Sequence, residues 1–185
     1  DRVMSVLLPK DFAGMSVLIS AGGTREPIDP IRFIGNRSTG QMGVSLAEAA
    51  RDRGARVTLV AANLEVPAPT GVQVIRVSTA NEMQSVVEQT IVENDCFISA
   101  AAVSDYRVEN LSAEKIKKSS GLTSLNLTPN PDIVTEVIKK WPKVFVVVFA
   151  AETDEANFID YVKEKARAKG ANLLIANLVG DDRGF

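Results

Sequence analysis

The feature that most constrains this chain is a long polar segment between its first apolar run and its first amphipathic stretch. The apolar run ends at Ser20, and the following segment of about twenty residues, up to Gly40, is rich in glycine, hydroxyl groups and arginine. Strand-to-helix connections usually contain about 2–6 residues, and much longer ones are functional or disordered. Because these residue types bind phosphate and carboxylate groups, the sequence predicts a ligand-binding loop, with a plain surface excursion as the alternative.

Strand and helix patterns alternate along the rest of the chain. Six apolar runs are predicted to be strands, and their continuous hydrophobicity is typical of strands covered on both faces of a parallel sheet. They lie at Val17–Ser20, Arg56–Ala61, Val72–Val77, Cys96–Ala100, Val144–Phe149 and Asn172–Ala176. This order predicts an α/β fold: a single doubly wound, mostly parallel sheet with helices on both faces (Rossmann-like), which binds ligands beyond the carboxyl ends of its strands.

Four helices are predicted between these strands. The first is expected to bury Met42, Leu46, Ala49 and Ala50 and to end at Gly54. The other three are expected to begin at the capping-box pattern Thr79–Glu82, at Pro131–Asp132 and at Thr153–Glu155. The stripe expected to be buried on the fourth helix consists of Phe158, Val162 and Ala166.

Histidine is absent from the chain, and its absence limits the chemistry that the chain can perform. Ser-His-Asp and Cys-His catalysis, histidine acid–base chemistry and the usual zinc sites are excluded. Lysine, arginine, carboxylates, amides and backbone dipoles remain. These groups suit phosphoryl and nucleotidyl transfer, which depend on positioning and on neutralisation of charge.

Composition argues against several other classes of protein. The net charge of −2 disfavours nucleic-acid binding, and the longest apolar run, Val144–Ala151, is too short to span a bilayer, so no membrane association is expected. The single cysteine, Cys96, lies in an apolar run and is predicted to be a buried structural thiol. Since no disulfide framework is possible, we expect a cytoplasmic location.

A second long connection, Ala100–Pro131, follows the fourth predicted strand. Its first residues are small and are expected to let backbone amides approach a ligand, while Asp105 could pair with a lysine, hold a metal, accept from a base or only cap a turn. The basic stretch Glu114–Gly121 is interpreted either as a solvated face or as a mobile lid over bound phosphates. Lys165 and Lys169 share one helix face, where they could bind a polyphosphate or extend into water.

Six ordered motifs give the chain a resemblance to a known family. They are Ala21–Pro30 (AGGTREPIDP), Asn36–Gly43 (NRSTGQMG), Ala101–Tyr106 (AAVSDY), Lys115–Lys118 (KIKK), Asn130–Asp132 (NPD) and Phe149–Thr153 (FAAET). Together they resemble bacterial phosphopantothenate–cysteine ligase (phosphopantothenoylcysteine synthetase), which is often the C-terminal half of a bifunctional protein of coenzyme A biosynthesis. The resemblance covers nearly the whole chain from about Phe12.

The resemblance implies a ligation of cysteine to 4′-phosphopantothenate that depends on CTP and Mg²⁺. The substrate carboxylate attacks the α-phosphate of CTP to give an acyl-cytidylate and pyrophosphate, and the amine of cysteine then displaces CMP to form the amide. A homodimer with its sites at the subunit interface is also implied, as is a fused or associated phosphopantothenoylcysteine decarboxylase domain.

The same resemblance implies roles for individual residues. Asn36 is implied to stabilise and turn over the acyl-cytidylate, Lys115 to close over the nucleotide as part of a flap, and Arg32 to reach the phosphopantothenate of the neighbouring subunit. Ser38 and Gly40 complete the implied substrate-binding set. The implied nucleotide-binding set consists of Lys115, Ala101, Ala102, Asp105, Asn130, Pro131, Phe149, Lys165 and Lys169. The resemblance assigns no magnesium ligands.

The chain departs from the family pattern in three respects. Gln41 stands where lysine is common, Val148 replaces a glycine and is expected to crowd the base pocket, and the chain stops at Phe185, where the family continues. We therefore expect an N-terminal linker segment over 1–12 and a C-terminally truncated nucleotide-binding ligase domain over 13–185.

Two other functions are compatible with the predicted fold. One is a nicotinamide-dinucleotide-dependent oxidoreductase, although the chain has neither a compact G-x-G-x-x-G turn nor an acidic residue after the second predicted strand, at Ala61–Asn63. The other is a nucleotide-binding or dimerisation module without turnover.

Overall fold

The computed structural model describes residues 8–118 and 124–180. Residues 1–7 of the expected linker, Ser119–Gly121 of the basic stretch and residues 181–185 lie outside the described residues. In chain order the strands are β1 (Ser16–Gly22), β2 (Arg25–Pro27), β3 (Phe33–Gly35), β4 (Arg56–Ala62), β5 (Gln73–Val77), β6 (Cys96–Ser99), β7 (Tyr106–Val108), β8 (Leu127–Pro129), β9 (Phe145–Glu152) and β10 (Leu173–Leu178). The helices are α1 (Gln41–Asp52), α2 (Ala80–Thr90), α3 (Ile133–Lys140) and α4 (Phe158–Lys169), with a 3-10 turn over Ile91–Glu93.

Six strands form one parallel sheet in the order β10-β9-β6-β1-β4-β5. The chain therefore builds outward from β1 through β4 to β5, returns to the other side of β1, and continues through β6 and β9 to β10. This order confirms the predicted doubly wound α/β fold. The direction of winding reverses between β1 and β6, and sheets of this kind bind ligands beyond the carboxyl ends of the strands at such a reversal.

Each face of the sheet has its own apolar core because side chains of the central strands alternate between the two faces. Leu18 and Phe97 are fully buried on the face that packs against α2 and α3. Val17 and Ile19 lie on the opposite face, which packs against α1. The continuous apolar patterns of the strands follow from this coverage on both sides. Within the part of the chain that the structure describes, no helix is long and apolar enough to cross a membrane.

The two long connections contain regular structure that the sequence pattern did not reveal. The segment between β1 and α1 forms the antiparallel hairpin β2–β3, in which Arg25 pairs with Gly35. The connection after β6 forms a second antiparallel hairpin, β7–β8, in which Tyr106 pairs with Pro129. Both hairpins have strands of three residues, too short for a period-two pattern to stand out from the surrounding loop.

The apolar face predicted for α1 is partly wrong. Met42 and Ala49 are exposed, and Leu46 is only half-buried. The residues that α1 buries are Gly43, Val44, Ala47 and Ala50. A Cβ atom at Gly43 would lie 2.4 Å from the Cβ atom of Ala21, so the helix approaches β1 more closely than any larger residue allows. This contact rotates the helix and turns Met42 away from the core.

The other helix starts depend on local caps, and most were predicted. Thr79 and Glu82 form the expected capping box of α2. Asp132 is the N-cap of α3 and accepts from the amide of Thr135. Helix α4 begins only at Phe158, later than expected, because Asp154 accepts from the amide of Asn157 in a preceding turn. Its predicted stripe is half-buried rather than buried.

The close contact at Gly43 gives a first prediction. Replacement of Gly43 by Ala should lower the free energy of unfolding by about 1–3 kcal/mol, because overlap with Ala21 outweighs a gain in helix propensity of about 1 kcal/mol. Urea denaturation would measure the difference. Gly180→Ala is the matched control, since a Cβ atom there has no neighbour within 4 Å. Equal midpoints for the two variants would contradict the prediction.

Candidate nucleotide and substrate site

A cavity of about 580 Å³ lies at the carboxyl edge of the sheet, where the direction of winding reverses. Its walls come from the start of α1, the loop after β6, the ends of β9 and β10, and one residue of α4. Seven of the predicted site residues line it: Ser38, Gly40, Ala101, Ala102, Asp105, Phe149 and Lys165. The structure therefore brings together residues from three separate motifs of the sequence and Lys165 of α4.

The small residues after β6 do not act as amide donors, contrary to the expectation. The amides of Ala100 and Ala102 donate to the carbonyl groups of Ser20 and Gly22 at 3.2 and 2.8 Å, and the amide of Ala101 donates to the Ser20 hydroxyl at 3.3 Å. These bonds extend the pairing between β1 and β6 beyond the strands. What Ala101 and Ala102 contribute to the cavity is therefore space, because their side chains are short.

The amino end of α1 provides a favourable place for an anion. Its N-cap is Gly40, which has no side chain to cap the helix, and its first turn contains no acidic residue. The amide of Gln41 donates to the neutral hydroxyl of Thr39 at 3.3 Å. Thr39, Gly40 and Gln41 line the cavity. A helix of twelve residues that points its amino end at a cavity attracts negative charge through its dipole and its first amide groups.

The two lysines of α4 are paired with carboxylates. Lys165 Nζ lies 2.7 Å from Glu152 Oε1 at the end of β9, and Lys169 binds Asp132, the N-cap of α3. Burial alone would raise the pKa of Asp132, but the hydrogen bonds from Lys169 and Thr135 outweigh it and lower this pKa. Lys165 lines the cavity and Lys169 lies beside it on the same helix. Each of the two lysines therefore has a carboxylate partner within the chain.

Asn36 lies next to the cavity without forming its wall. Its side-chain amide donates to the carbonyl group of Val103 at 3.1 Å, and Val103 lines the cavity. The side chain is otherwise exposed. A carboxamide in this position can transfer its N–H donor from Val103 to a bound ligand by a change of rotamer.

Arg32 and Lys115 do not line the cavity. The guanidinium of Arg32 binds the carboxylate of Asp29 and the carbonyl group of Ile116, and its side chain stays 46% exposed. Lys115 is exposed. Contact between either residue and a ligand in the cavity therefore requires a conformational change or a second subunit.

Asn130 and Pro131 lie outside the cavity, and Asn130 binds the loop that follows β6. The side chain of Asn130 donates to the Ser104 carbonyl group at 2.8 Å and accepts from Arg107 at 3.2 Å. Its backbone amide donates to the carbonyl group of Asp105 at 2.7 Å. Asn130 therefore fixes the loop that carries Asp105, and neither it nor Pro131 lines the cavity.

Several lining residues were not predicted from the sequence. They are Thr39, Gln41, Met42, Ser45, Ala100, Val103, Ala150, Ala151, Asn177 and Val179. Met42 was expected in the core. The signal that could have found Thr39, Gln41, Met42, Val103, Ala150 and Ala151 is their place within the quoted motifs. Val148, expected to crowd the base pocket, instead packs in the core of the sheet and does not line the cavity.

Comparison with known proteins agrees with the resemblance seen in the motifs. The profile of the DNA/pantothenate metabolism flavoprotein C-terminal domain matches residues 12–185. The chain belongs to this family. The coenzyme A biosynthesis bifunctional proteins CoaBC of Mycobacterium bovis and Haemophilus influenzae are 42% and 44% identical to it over 96% and 95% of its length. The chain spans 45% and 44% of the length of these two relatives.

Solved structures of the family have the same fold. The C-terminal domain of a CoaBC protein superimposes with a TM-score of 0.79 at 36% identity, covering 90% of this chain and 78% of that one. A DNA/pantothenate metabolism flavoprotein from Streptococcus pneumoniae superimposes with a TM-score of 0.78 at 23% identity, covering 91% and 86% of the two chains. The doubly wound sheet is therefore the fold of the family.

Cys96 is a structural thiol, as predicted. Its side chain lies in the core beneath α1, and the residue is only 8% exposed. Burial, with a smaller contribution from the nearby charge of Asp95, raises the pKa of the thiol to about 11. At neutral pH the group is therefore a neutral, inaccessible thiol, and it takes no part in the chemistry of the cavity.

The raised pKa predicts slow chemical modification. At pH 8 the native protein should react with a thiol-specific disulfide reagent at least about 100-fold more slowly than the unfolded chain, because its thiolate fraction is about 100-fold smaller. Absorbance of the released thiolate, with and without urea, measures both rates on the same sample. Rapid labelling of the folded protein would contradict the burial of Cys96.

Proposed function

We propose that this chain catalyses the CTP-dependent ligation of cysteine to 4′-phosphopantothenate in coenzyme A biosynthesis. The observation that carries the proposal is the cavity at the reversal of winding, which collects Lys165 and residues from three motifs that resemble those of a phosphopantothenate–cysteine ligase around one anion-attracting helix end. Membership of the family supports it. A solved Cab2 variant, which shares the fold at 22% identity, was crystallised with phosphopantothenate-cysteine.

The first half-reaction fits the shape of the cavity. A carboxylate oxygen of 4′-phosphopantothenate forms a bond to the α-phosphorus of CTP, and the bond from that phosphorus to the bridging oxygen of pyrophosphate breaks. The open amino end of α1 and Lys165 lie on two sides of the cavity, so both can neutralise phosphate charge. Ala101 and Ala102 leave room for a bulky nucleotide, and Phe149 supplies an aromatic surface.

The second half-reaction needs a donor for the acyl oxygen. The amine of cysteine adds to the acyl carbon, CMP leaves with the electrons of the broken C–O bond, and the amine gives up a proton. The Nδ2 group of Asn36 donates to the Val103 carbonyl at the edge of the cavity, and a ligand oxygen can replace this acceptor. A carboxamide is suited to the role because it donates a hydrogen bond and does not compete as a nucleophile.

The donor set of the cavity fits a magnesium–nucleotide complex. Mg²⁺ bound to nucleotides usually takes most of its ligands from phosphates and water, with one or two carboxylates from the protein. Asp105 is exposed and lines the cavity, so it is the carboxylate that would hold the ion. No cluster of three or more potential metal-ligating side chains occurs in residues 8–118 and 124–180. The ion would neutralise part of the triphosphate charge.

The surface beside the cavity supports the proposal of a homodimer. Large apolar side chains are exposed on the two short hairpins and the loop that follows one of them: Ile31, Phe33, Tyr106, Leu111 and Leu127. The hairpins pack side by side, since β2 contacts β7. A second copy that covered this surface would bring Arg32 of one subunit close to the site of the other. A decarboxylase domain is a further proposed partner, because the relatives are bifunctional proteins.

The alternative of a nicotinamide-dependent oxidoreductase receives no support at the end of β4, where such enzymes have an acidic residue that binds the ribose. The strand order is the one found in dinucleotide-binding sheets. The residue after β4 is Asn63, and its side chain donates to the carbonyl groups of Gly23 and Ser78 at 2.9 and 3.1 Å. It is thus occupied in holding loops together, and no acidic group stands there to bind a ribose.

Replacement of Asn36 by Asp tests the proposed reaction. Loss of the amide donor should slow amide formation by about 10²–10³. Pyrophosphate release and CTP binding should persist in the first turnover, so pyrophosphate and amide product become unequal. A coupled pyrophosphate assay and mass spectrometry of the product measure the two yields.

Asn81→Asp, on the exposed start of α2, is the control. Normal product formation by the Asn36 variant would remove this residue from its role, and absence of CTP-dependent pyrophosphate release from the unmodified protein would reject the ligase.

The dimer is tested by charging the apolar surface. The double variant Leu111→Asp, Leu127→Asp should raise the dimer dissociation constant by about 100-fold or more, because two apolar side chains lose their burial and charges enter the interface. Sedimentation velocity over a concentration series measures this constant. Val92→Asp is the control, since Val92 is 65% exposed near the opposite edge of the sheet. An unchanged constant for the double variant would place the interface elsewhere.

A further inference from the structure

The carboxylate of Asp29 is buried although it lies in the turn of a surface hairpin. Asp29 is 2% exposed, and both of its oxygens accept hydrogen bonds. Oδ1 accepts from the backbone amides of Ile31 and Arg32, each at 2.9 Å. Oδ2 accepts from the guanidinium of Arg32, with Nε at 3.0 Å, and from the backbone amide of Ile116 at 3.1 Å. The Arg32 side chain holds the pKa of this carboxyl far below its usual range.

The bond from Ile116 connects two loops that are 87 positions apart in the chain. The carbonyl group of Ile116 also accepts from Arg32 Nη2 at 2.9 Å. Both backbone polar groups of Ile116 therefore bind the Asp29–Arg32 ion pair. A third bond, from the amide of Ser112 to the carbonyl group of Ile28 at 3.2 Å, lies beside them. We call this set of bonds between Asp29, Arg32 and Ile116 the clasp.

The clasp is more than the closure of a turn. The turn between β2 and β3 is already closed by the amides of Ile28 and Asp29, which donate to the Arg32 carbonyl group at 2.8 and 3.3 Å. The bonds to Ile116 add nothing to this closure. Their effect is to hold the chain at Ile116 against the hairpin, and Lys115 directly precedes Ile116.

We propose that Asp29 is a positioning residue that holds Arg32 and the loop of Lys115 in one hydrogen-bonded unit. This inference rests on the proposed function, in which Arg32 and Lys115 both meet anionic groups. The negative charge of Asp29 offsets the positive charge of Arg32. The clasp also fixes the backbone of Ile116, directly on the carboxyl side of Lys115, and so restricts the positions from which the Lys115 side chain can reach a triphosphate.

Asp29→Asn is the substitution that tests the clasp. The asparagine has the same size and keeps one oxygen for the amides of Ile31 and Arg32, but its NH₂ group then faces two donors, the guanidinium and the Ile116 amide. The chain around Ile116 should therefore separate from the β2–β3 hairpin more often. Tryptic cleavage after Lys115 and Lys117 should become faster by about tenfold or more, as expected when charge-assisted hydrogen bonds are lost. Mass spectrometry of the peptides measures the rate at each bond without any need for enzymatic activity.

The matched control is Asp11→Asn. Asp11 also binds an arginine through both guanidinium nitrogens, Nε and Nη2 of Arg53, but it lies on the exposed surface away from the hairpins. This variant should leave cleavage after Lys115 and Lys117 unchanged. Ile116→Pro serves as a second variant, because proline removes the amide that Asp29 accepts while the buried carboxylate stays paired with Arg32. It should reproduce the faster cleavage after Lys117 if Asp29→Asn folds poorly; the bond after Lys115 is not a readout in this variant, because trypsin does not cleave before proline.

A double-mutant cycle separates positioning from a general effect on the fold. Asp29→Asn should reduce kcat/KM for CTP by about tenfold or more in the unmodified protein, and by much less in the Lys115→Gln background, where the lysine to be positioned is already lost. The same factor in both backgrounds, or cleavage after Lys115 and Lys117 equal to that of the control, would overturn the proposal. If the unmodified protein lacks ligase activity, the proposed function fails, and the cleavage rates alone decide whether Asp29 holds the loop.

Discussion

The hydrogen bonds that hold the loop after β1 against its neighbours determine the geometry of the whole carboxyl edge. Thr24 donates its amide to the Ala102 carbonyl group at 3.2 Å, and its hydroxyl accepts from the amide of Ser104 at 2.9 Å. Glu26, which is 2% exposed, accepts from the amide of Ala80 at the start of α2, at 2.9 Å. These groups are buried, so each unpaired member would cost about 1–3 kcal/mol. The hairpin and the loop after β6 therefore keep a fixed relation to the sheet, and the cavity forms between them.

Two cations of the proposed site are each paired with a carboxylate of the same chain. Lys165 is held by Glu152, and Arg32 is held by Asp29. Such pairs keep long side chains ordered and avoid unpaired positive charge at the mouth of the cavity. An anionic ligand has to compete with these carboxylates for the two cations. The binding free energy that it gains is therefore smaller than the number of cations suggests. At the amino end of α1 the amide of Gln41 donates to the neutral hydroxyl of Thr39 at 3.3 Å, and the first turn contains no acidic residue. An anion at this end therefore competes with a hydroxyl group rather than with a carboxylate.

Local signals in the sequence predicted much of the fold. The six strands follow from apolar runs that need burial on both faces, and α2 and α3 begin at residues that cap their own helices. Features that depend on distant contacts were missed. The hairpins β2–β3 and β7–β8 are short, and hydrogen bonds to other loops hold them in place. The orientation of α1 depends on how closely Gly43 approaches Ala21, and hydropathy carries no information about that distance.

By itself the sequence determined the fold class, the family and the chemical types available, because periodicity, caps, ordered motifs and the absence of histidine are local or compositional properties. Only the tertiary structure decided which residues meet. It placed Met42 at the cavity, used the amides of Ala100–Ala102 for the sheet, and joined Asp29 to Ile116. The physical reason is that a buried donor or acceptor must find a partner wherever the folded chain offers one, and that partner can lie far away in the sequence.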